Sequence, residues 1–416
     1  MKKHFLPLLL CCTLLPGCAA AGADTKQVRE IPGDVDIPQL VSAETAEGGY
    51  AAFAAELLRQ TRSEGENTLV SPLSVALALG MTANGAAGDT LAEFQDLFGM
   101  DLDTLNAYCA KALHDYSALG GSTKSTVVNS LWCDPDLTLE DGFAARCQQN
   151  YGAELYQADL QDRATVQSVN EWVSKATEGL IPKSVEEFSE DAVLALVNAI
   201  YLQNKFERPF ETPSSEWTMD FTAADGTVSH PRGMHNGTRD EWYLSHAGGS
   251  GVLLPYDDGR LGFLLMLPEE GLDLSDYLSD WDGTTIKNLL ESRKERRVSL
   301  TVPKYELEWS GSLADTLPEM GLSRAFDVSV ADFTAMGRSA NGPLFIGDVI
   351  HKTVLKVNEK GTEAAAVTAV VMEASAAMPT DLIELRFDRP FVCGIVDTES
   401  GAPLFLGTHY NSRARV

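Results

Sequence analysis

The chain has 416 residues, 44% hydrophobic and 22% charged, with 60 acidic against 32 basic side chains and a formal net charge of −28. This composition excludes wholesale disorder, because a disordered chain is poorer in apolar residues, and the length suits two or three average domains or one large one. The charge repels phosphate backbones, so no nucleic-acid partner is expected, and it opposes direct adhesion to anionic lipid.

Lys2 and Lys3 precede an apolar run from Phe5 to Leu15. The run is short for a bilayer span and has the layout of a secretory leader. It ends in Leu15-Pro16-Gly17-Cys18, which resembles the bacterial lipobox. That resemblance implies a leader of residues 1–17, lipidation of Cys18, and a location on the outer face of a bacterial membrane or outside the cell. The competing reading is a plain signal peptide with an incidental cysteine. Two or more acyl chains would anchor stably, where one would not. Residues 18–48 mix Ala, Gly, Asp, Glu and Pro without an apolar period, as a flexible tether does. Residues 49–416 are expected to form a single domain.

In chain order, Tyr50 to Thr61 is helical by pattern, with Phe53, Leu57 and Leu58 on one face. Ser71 caps a second helix with Pro72 at its first position. Asp89 is expected to cap Thr90 to Phe98. Thr126 to Trp132 reads as a strand, and Leu139 to Tyr151 and Thr165 to Glu178 read as helices. Val193 to Leu202 is nearly all apolar, which suits a fully buried central strand. Short strands then dominate: Val252–Pro255, Gly262–Leu267, Arg297–Val302, Leu344–Ile346, Val354–Asn358, Leu382–Phe387, Phe391–Asp397 and Leu404–His409. Helices first and strands later, within one block, indicate an α+β fold.

Catalytic patterns are missing from the sequence. No histidine sits in HExxH, no GxxxxGK or GxGxxG loop occurs, and Gly248-Gly249-Ser250-Gly251 lacks the last glycine of a nucleophile elbow. No catalytic residue, cofactor or metal site is therefore expected, and the chain is not read as an enzyme. Asp134, Asp136, Glu140 and Asp141 resemble a calcium loop loosely, but a polar turn before a helix is the better reading. Arg293-Lys294-Glu295-Arg296-Arg297 reads as a solvated helix end leading into a strand rather than a polyanion site. Cysteine spacing leaves open whether Cys133 and Cys147 pair.

The unusual stretch runs from Glu359 to Pro379. Thr362 as cap, the alanines and the terminal proline argue for a helix. The β-branched Val367, Thr368, Val370 and Val371 argue for a strand. On a strand, Thr362, Ala364, Ala366 and Thr368 share one face and are all small. Such a segment can enter a sheet at little steric cost.

This stretch resembles the hinge and reactive-centre loop of serpins, and the resemblance covers residues 49 to 416 in order. It includes Asn67-Thr68-Leu69-Val70-Ser71-Pro72-Leu73-Ser74, Leu196-Val197-Asn198-Ala199-Ile200-Tyr201-Leu202, Lys205-Phe206-Glu207-Arg208-Pro209-Phe210, His351-Lys352-Thr353-Val354-Leu355, Phe387-Asp388-Arg389-Pro390-Phe391 and Phe405-Leu406-Gly407-Thr408. It implies three β-sheets, about nine helices and an exposed loop near the C-terminus. It also implies a suicide substrate: a serine protease attacks the loop, and the hinge inserts into the main sheet with the protease still acylated.

The implied hinge is Glu359, Gly361, Thr362, Glu363, Ala364, Ala365 and Ala366. The family spacing places the scissile bond at Ser375-Ala376, with Ala374, Ala377 and Met378 as alternatives. Ser74, Asn198 and His351 match the cluster beneath the sheet opening. Where the family usually has Trp, this chain has Phe206, which keeps an aromatic filler without the indole N–H. Small loop residues imply elastase-like or subtilisin-like targets, and the implied partner is a target serine protease in a covalent acyl complex. The membrane is met through the lipid anchor alone, and the chain is expected to be a monomer before complex formation. Two other readings compete: a non-inhibitory serpin used for binding or storage, and a secreted two-domain hydrolase.

Overall fold

The computed structural model describes residues 29–31, 43–190, 192–211, 217–362 and 381–412. Nine α-helices occur among them: α1 (Ala43–Thr61), α2 (Pro72–Ala83), α3 (Gly88–Phe98), α4 (Leu102–Ser117), α5 (Asp141–Tyr151), α6 (Arg163–Ala176), α7 (Leu274–Ser279), α8 (Thr285–Ser292) and α9 (Thr316–Glu319). The strands up to the middle of the chain are β1 (Arg29–Ile31), β2 (Thr68–Val70), β3 (Lys124–Cys133), β4 (Leu137–Leu139), β5 (Glu154–Gln157), β6 (Leu194–Lys205), β7 (Phe221–Thr222), β8 (Val228–Ser229), β9 (Gly233–His246) and β10 (Gly249–Pro255). There follow β11 (Leu261–Pro268), β12 (Lys294–Pro303), β13 (Tyr305–Ser312), β14 (Gly337–Ser339), β15 (Ile350–Asn358), β16 (Gly361–Thr362), β17 (Ile383–Arg386), β18 (Phe391–Asp397) and β19 (Pro403–His409).

The strands form a seven-stranded sheet in the order β1-β5-β3-β6-β16-β15-β13 and an eight-stranded sheet in the order β17-β12-β9-β10-β11-β18-β19-β2. Two small ribbons pair β14 with β4 and β7 with β8. The expected α+β class with three sheets is thus realised as two large sheets and two ribbons. The second large sheet supplies most of the core: β11, β18 and β19 are buried at every residue. Their near-continuous apolar runs are what a strand covered on both faces requires.

Helix α2 is apolar around most of its circumference and buried at ten of its twelve residues, Pro72 among them. A helix of that kind belongs in a core rather than on it. Ser71 is its N-cap, accepting from the Ser74 N–H, and Pro72 stands in the first turn as its sequence indicates. Gly80 gives α2 close contact with α5, since a Cβ there would come within 2.5 Å of Tyr151 Oη.

Several boundaries differ from the sequence expectation. The tether assigned to residues 18–48 is not wholly free chain: Arg29–Ile31 pairs antiparallel with β5, and α1 already begins at Ala43. A three-residue strand is too short to leave a periodic signal. Helix α3 begins at Gly88 after Ala87, which makes no side-chain cap, so Asp89 lies in the first turn rather than before it. Leu139 belongs to β4, and α5 starts at Asp141. Leu344–Ile346 is not a strand; Leu344 and Ile346 pack against the core from an irregular segment. Finally, β6 is central but not fully buried: Leu194 to Asn198 are half-buried. One of its neighbours, β16, is two residues long, so cover on that side stops near Asn204.

Candidate functional site

The hinge residues lie where β15 turns back into β16. Glu359 and Lys360 form the turn, with Asn358 opposite Gly361 and Val357 opposite Thr362. On its other side β16 pairs with β6, Gly361 opposite Lys205 and Thr362 opposite Asn204. The chain therefore enters the middle of the sheet between β6 and β15. Main-chain bonds fix the turn: Phe206 N donates to Lys360 O at 2.8 Å and Phe210 N to Glu359 O at 2.8 Å. The Glu359 carboxylate meets Lys304 Nζ at 3.1 Å, an ion pair exposed enough to contribute at most about 1 kcal/mol.

Gly361 has a physical reason to be glycine. Its φ is +150°, and a Cβ there would come within 2.1 Å of Asn204 O. Only a residue without a side chain lets the turn seat against β6. Thr362 is 1% exposed. Its side chain faces Tyr256, and Asn204, its partner on β6, donates from Nδ2 to Asp258 Oδ2 at 3.1 Å.

Phe206 closes the hinge from beneath. Its ring stacks on Tyr256 at 5.4 Å and 8°, meets Phe210 edge-on at 5.7 Å, and tilts against Phe263 at 6.0 Å. The phenyl ring fills its place at 3% exposure, with no indole N–H to satisfy.

Further down the sheet, the N-terminus of α2 holds both flanking strands. On the β6 side, Ser74 Oγ donates to Asn198 Oδ1, and Asn198 Nδ2 donates to Asn129 Oδ1 of β3 at 2.8 Å. On the β15 side, Ser71 N donates to His351 Nε2 at 3.0 Å, and Thr353 Oγ1 donates to Leu69 O at 2.7 Å. The structure thus joins Ser74 directly to Asn198, while His351 reaches the same helix end through Ser71. Burial pushes the His351 imidazole down to a pKa of about 4. As acceptor from Ser71 N–H its Nε2 carries no proton, so protonation would set two N–H groups against each other. Across the outer face, Ile181 and Val173 pack with Ala199 and Val354, and Lys352 Nζ donates to Lys183 O at 3.0 Å. The segment between α6 and β6 therefore bridges β6 and β15.

Glu363, Ala364, Ala365, Ala366, Ser375, Ala376 and Cys18 lie outside the described residues. Asn129, Thr353, Tyr256 and Lys304 belong to these contacts and were not found from sequence. Their partners are distant in the chain, and no local spacing marks them.

The other candidates resolve simply. Among the described residues no group of His, Cys, Asp and Glu is arranged to hold a metal. Asp134 Oδ1 accepts from Asp136 N at 2.9 Å, which makes the calcium-like stretch a polar turn. Cys133 and Cys147 are buried and unpaired, and burial pushes the Cys133 thiol up to about 12. The basic cluster runs from the end of α8 into β12, with the Arg293 guanidinium 5.3 Å over the Trp242 ring and Arg297 3.7 Å from Asp240. An open groove of about 1210 Å³ lies between α6 and residues 182–190.

Comparison with known proteins agrees with this geometry. An uncharacterized serpin-like protein of Thermococcus kodakarensis is 31% identical over 370 residues, covering 87% of this chain and 84% of that protein. The crystal structure of a thermophilic serpin, tengpin, in its native state superposes with a TM-score of 0.84 at 29% identity, covering 91% of this chain and 97% of that one. A thyroxine-binding globulin in complex with thyroxine shares the fold, with a TM-score of 0.77 at 24% identity over 88% of this chain and 99% of that one. The family model described as Serpin (serine protease inhibitor) matches residues 49–412, and the chain belongs to that family.

Proposed function

We propose that this protein is an exported, lipid-anchored serpin that traps serine proteases, of elastase-like or subtilisin-like specificity, as covalent acyl complexes. One observation carries the reading: β16 is already a strand between β6 and β15, paired with both. Continuing its antiparallel register sets Glu363 to Met372 alongside Gln203 to Leu194 on one side. On the other side, Glu363 to Ala369 run alongside Lys356 to Ile350. Side chains alternate, so Ala364, Ala366 and Thr368 follow Thr362 onto the buried face. All are small, and none brings a charge that would have to be buried.

In the reaction the protease serine oxygen attacks the Ser375 carbonyl carbon. The bond to Ala376 breaks, and the new amine leaves with the proton from the protease histidine. Ser375 stays on the protease as an ester. The freed segment then adds to the sheet in the register above, carrying the ester with it. Distortion of the oxyanion hole would leave the ester unhydrolysed. Cys18 would hold the protein at the membrane through its acyl chains. A sheet built to accept small residues favours inhibition over a carrier role, for which no insertion is needed.

The test mixes residues 24–416 with elastase-, subtilisin-, chymotrypsin- and trypsin-like proteases. Denaturing gels and the mass of the released C-terminal peptide are the readouts. The expected result is a denaturant-stable adduct with elastase- or subtilisin-like enzymes and a peptide beginning near Ala376. Loop cleavage by every protease with no adduct would contradict it.

A further inference from the structure

The short strand β1 gives the molecule a direction relative to its anchor. Arg29 lies opposite Gln157 and Ile31 opposite Leu155. Through β5 and β3, Gln157 is level with Cys133, and Cys133 with Leu194. Thr362 is level with Asn204, ten residues further along β6. At a strand rise of about 3.3 Å per residue, the point where the chain reaches Arg29 is about 33 Å from the hinge along the strands. Because β1 runs antiparallel to β5, Arg29 is its outermost residue at the end away from the hinge.

This changes the reach of the tether. If β1 were free, residues 19–42 would link Cys18 to α1 and span at most about 85 Å. With β1 paired, only residues 19–28 separate Cys18 from the sheet, at most about 35 Å. A second observation concerns the same end. Of the six exposed large apolar side chains among the described residues, Val328, Val330, Phe345 and Ile350 lie on the segment that closes it. Ile350 is level with Ser312 there, and Ile346 N bonds Ala325 O.

We propose that the pairing of β1 with β5 makes the sheet end opposite the hinge the membrane-facing end of the anchored protein. The reactive loop then starts from the end away from the bilayer, and strand insertion carries an acylated protease toward it. This rests on lipidation of Cys18 and on the insertion mechanism proposed above.

The full chain, processed and reconstituted in vesicles with an energy acceptor on the lipid headgroups, tests it. Asp136→Cys marks the end near β1 and Glu207→Cys the hinge end; both positions are exposed. Cys109, Cys133, Cys147 and Cys393 are buried, so a polar maleimide donor reports the new thiol. Transfer is expected to be several-fold stronger from position 136 than from position 207. Glu30→Pro, which removes a backbone donor from β1, should bring the two toward equality. Equal transfer in membrane-bound protein, or a ratio that Glu30→Pro leaves unchanged, overturns the orientation. Cys18→Ala protein that binds vesicles as well as the parent overturns the lipid anchor instead. With a donor on the protease, transfer should rise several-fold as the adduct forms. No rise, with the orientation intact, overturns the insertion step alone.

Discussion

Ala364→Arg is expected to convert the protein from an inhibitor into a substrate. Thr362 is already buried between β6 and β15 before cleavage, so in the extended register Ala364 is the first residue that insertion turns onto the same buried face. A guanidinium at position 364 would have to be buried as the segment inserts, which costs several kcal/mol. If about 3 kcal/mol of that falls on the barrier to insertion, insertion slows about a hundredfold. Hydrolysis of the acyl-enzyme then wins the competition. The number of inhibitor molecules cleaved per stable adduct should rise at least about tenfold, by the same arithmetic, while the rate of loop cleavage changes little. Glu363→Arg is the matched control, because alternation turns that residue to the other face. Its effect should be small. Equal damage from both substitutions would contradict the register.

The second large effect is of pH. An ordinary histidine titrates near 6.5, and burial holds His351 at about 4. Between those values the opened or unfolded protein takes up a proton that the closed sheet refuses. Stability contributed by neutral His351 is therefore complete above about pH 6.5. It falls as pH drops toward 4, by about 3 kcal/mol in all. Protonation also destroys the acceptor that holds Ser71 N–H, so β15 should part from α2 first. Spontaneous loss of inhibitory activity is expected to be many-fold faster at pH 5 than at pH 7.5. His351→Gln should flatten that dependence. His409, buried in the second sheet and pushed down to about 3, adds to global unfolding over the same range. The difference between parent and variant is therefore the quantity to measure. Identical pH profiles would remove His351 from the opening step.

Most of the architecture was legible because it rests on local patterns. The apolar runs of β10, β11, β18 and β19 were readable as short strands, and Ser71-Pro72 as a helix start. Pattern reading failed where partners decide. Leu344–Ile346 has strand-like composition but no edge to join. The lower half of β6 is apolar yet half-buried, because its neighbour on one side ends after two residues. Strand β1 is too short to carry a period and exists through pairing with β5.

At the hinge, small residues and a glycine were visible in the sequence. That Gly361 must pass within reach of Asn204 O was not, nor was the ion pair between Glu359 and Lys304, since both depend on contacts between distant segments. Ser74, Asn198 and His351 were located by family resemblance. The way one helix end grips two strands, through Ser71 and Asn129 as well, needed the three-dimensional arrangement.

Hydrogen exchange on intact and loop-cleaved protein tests most directly whether the segment after Thr362 enters between β6 and β15. Cleavage should slow exchange strongly in Leu194–Gln203 and Ile350–Lys356, the stretches that the extended register pairs with new strand. Unchanged or faster exchange in those two stretches after cleavage would contradict insertion.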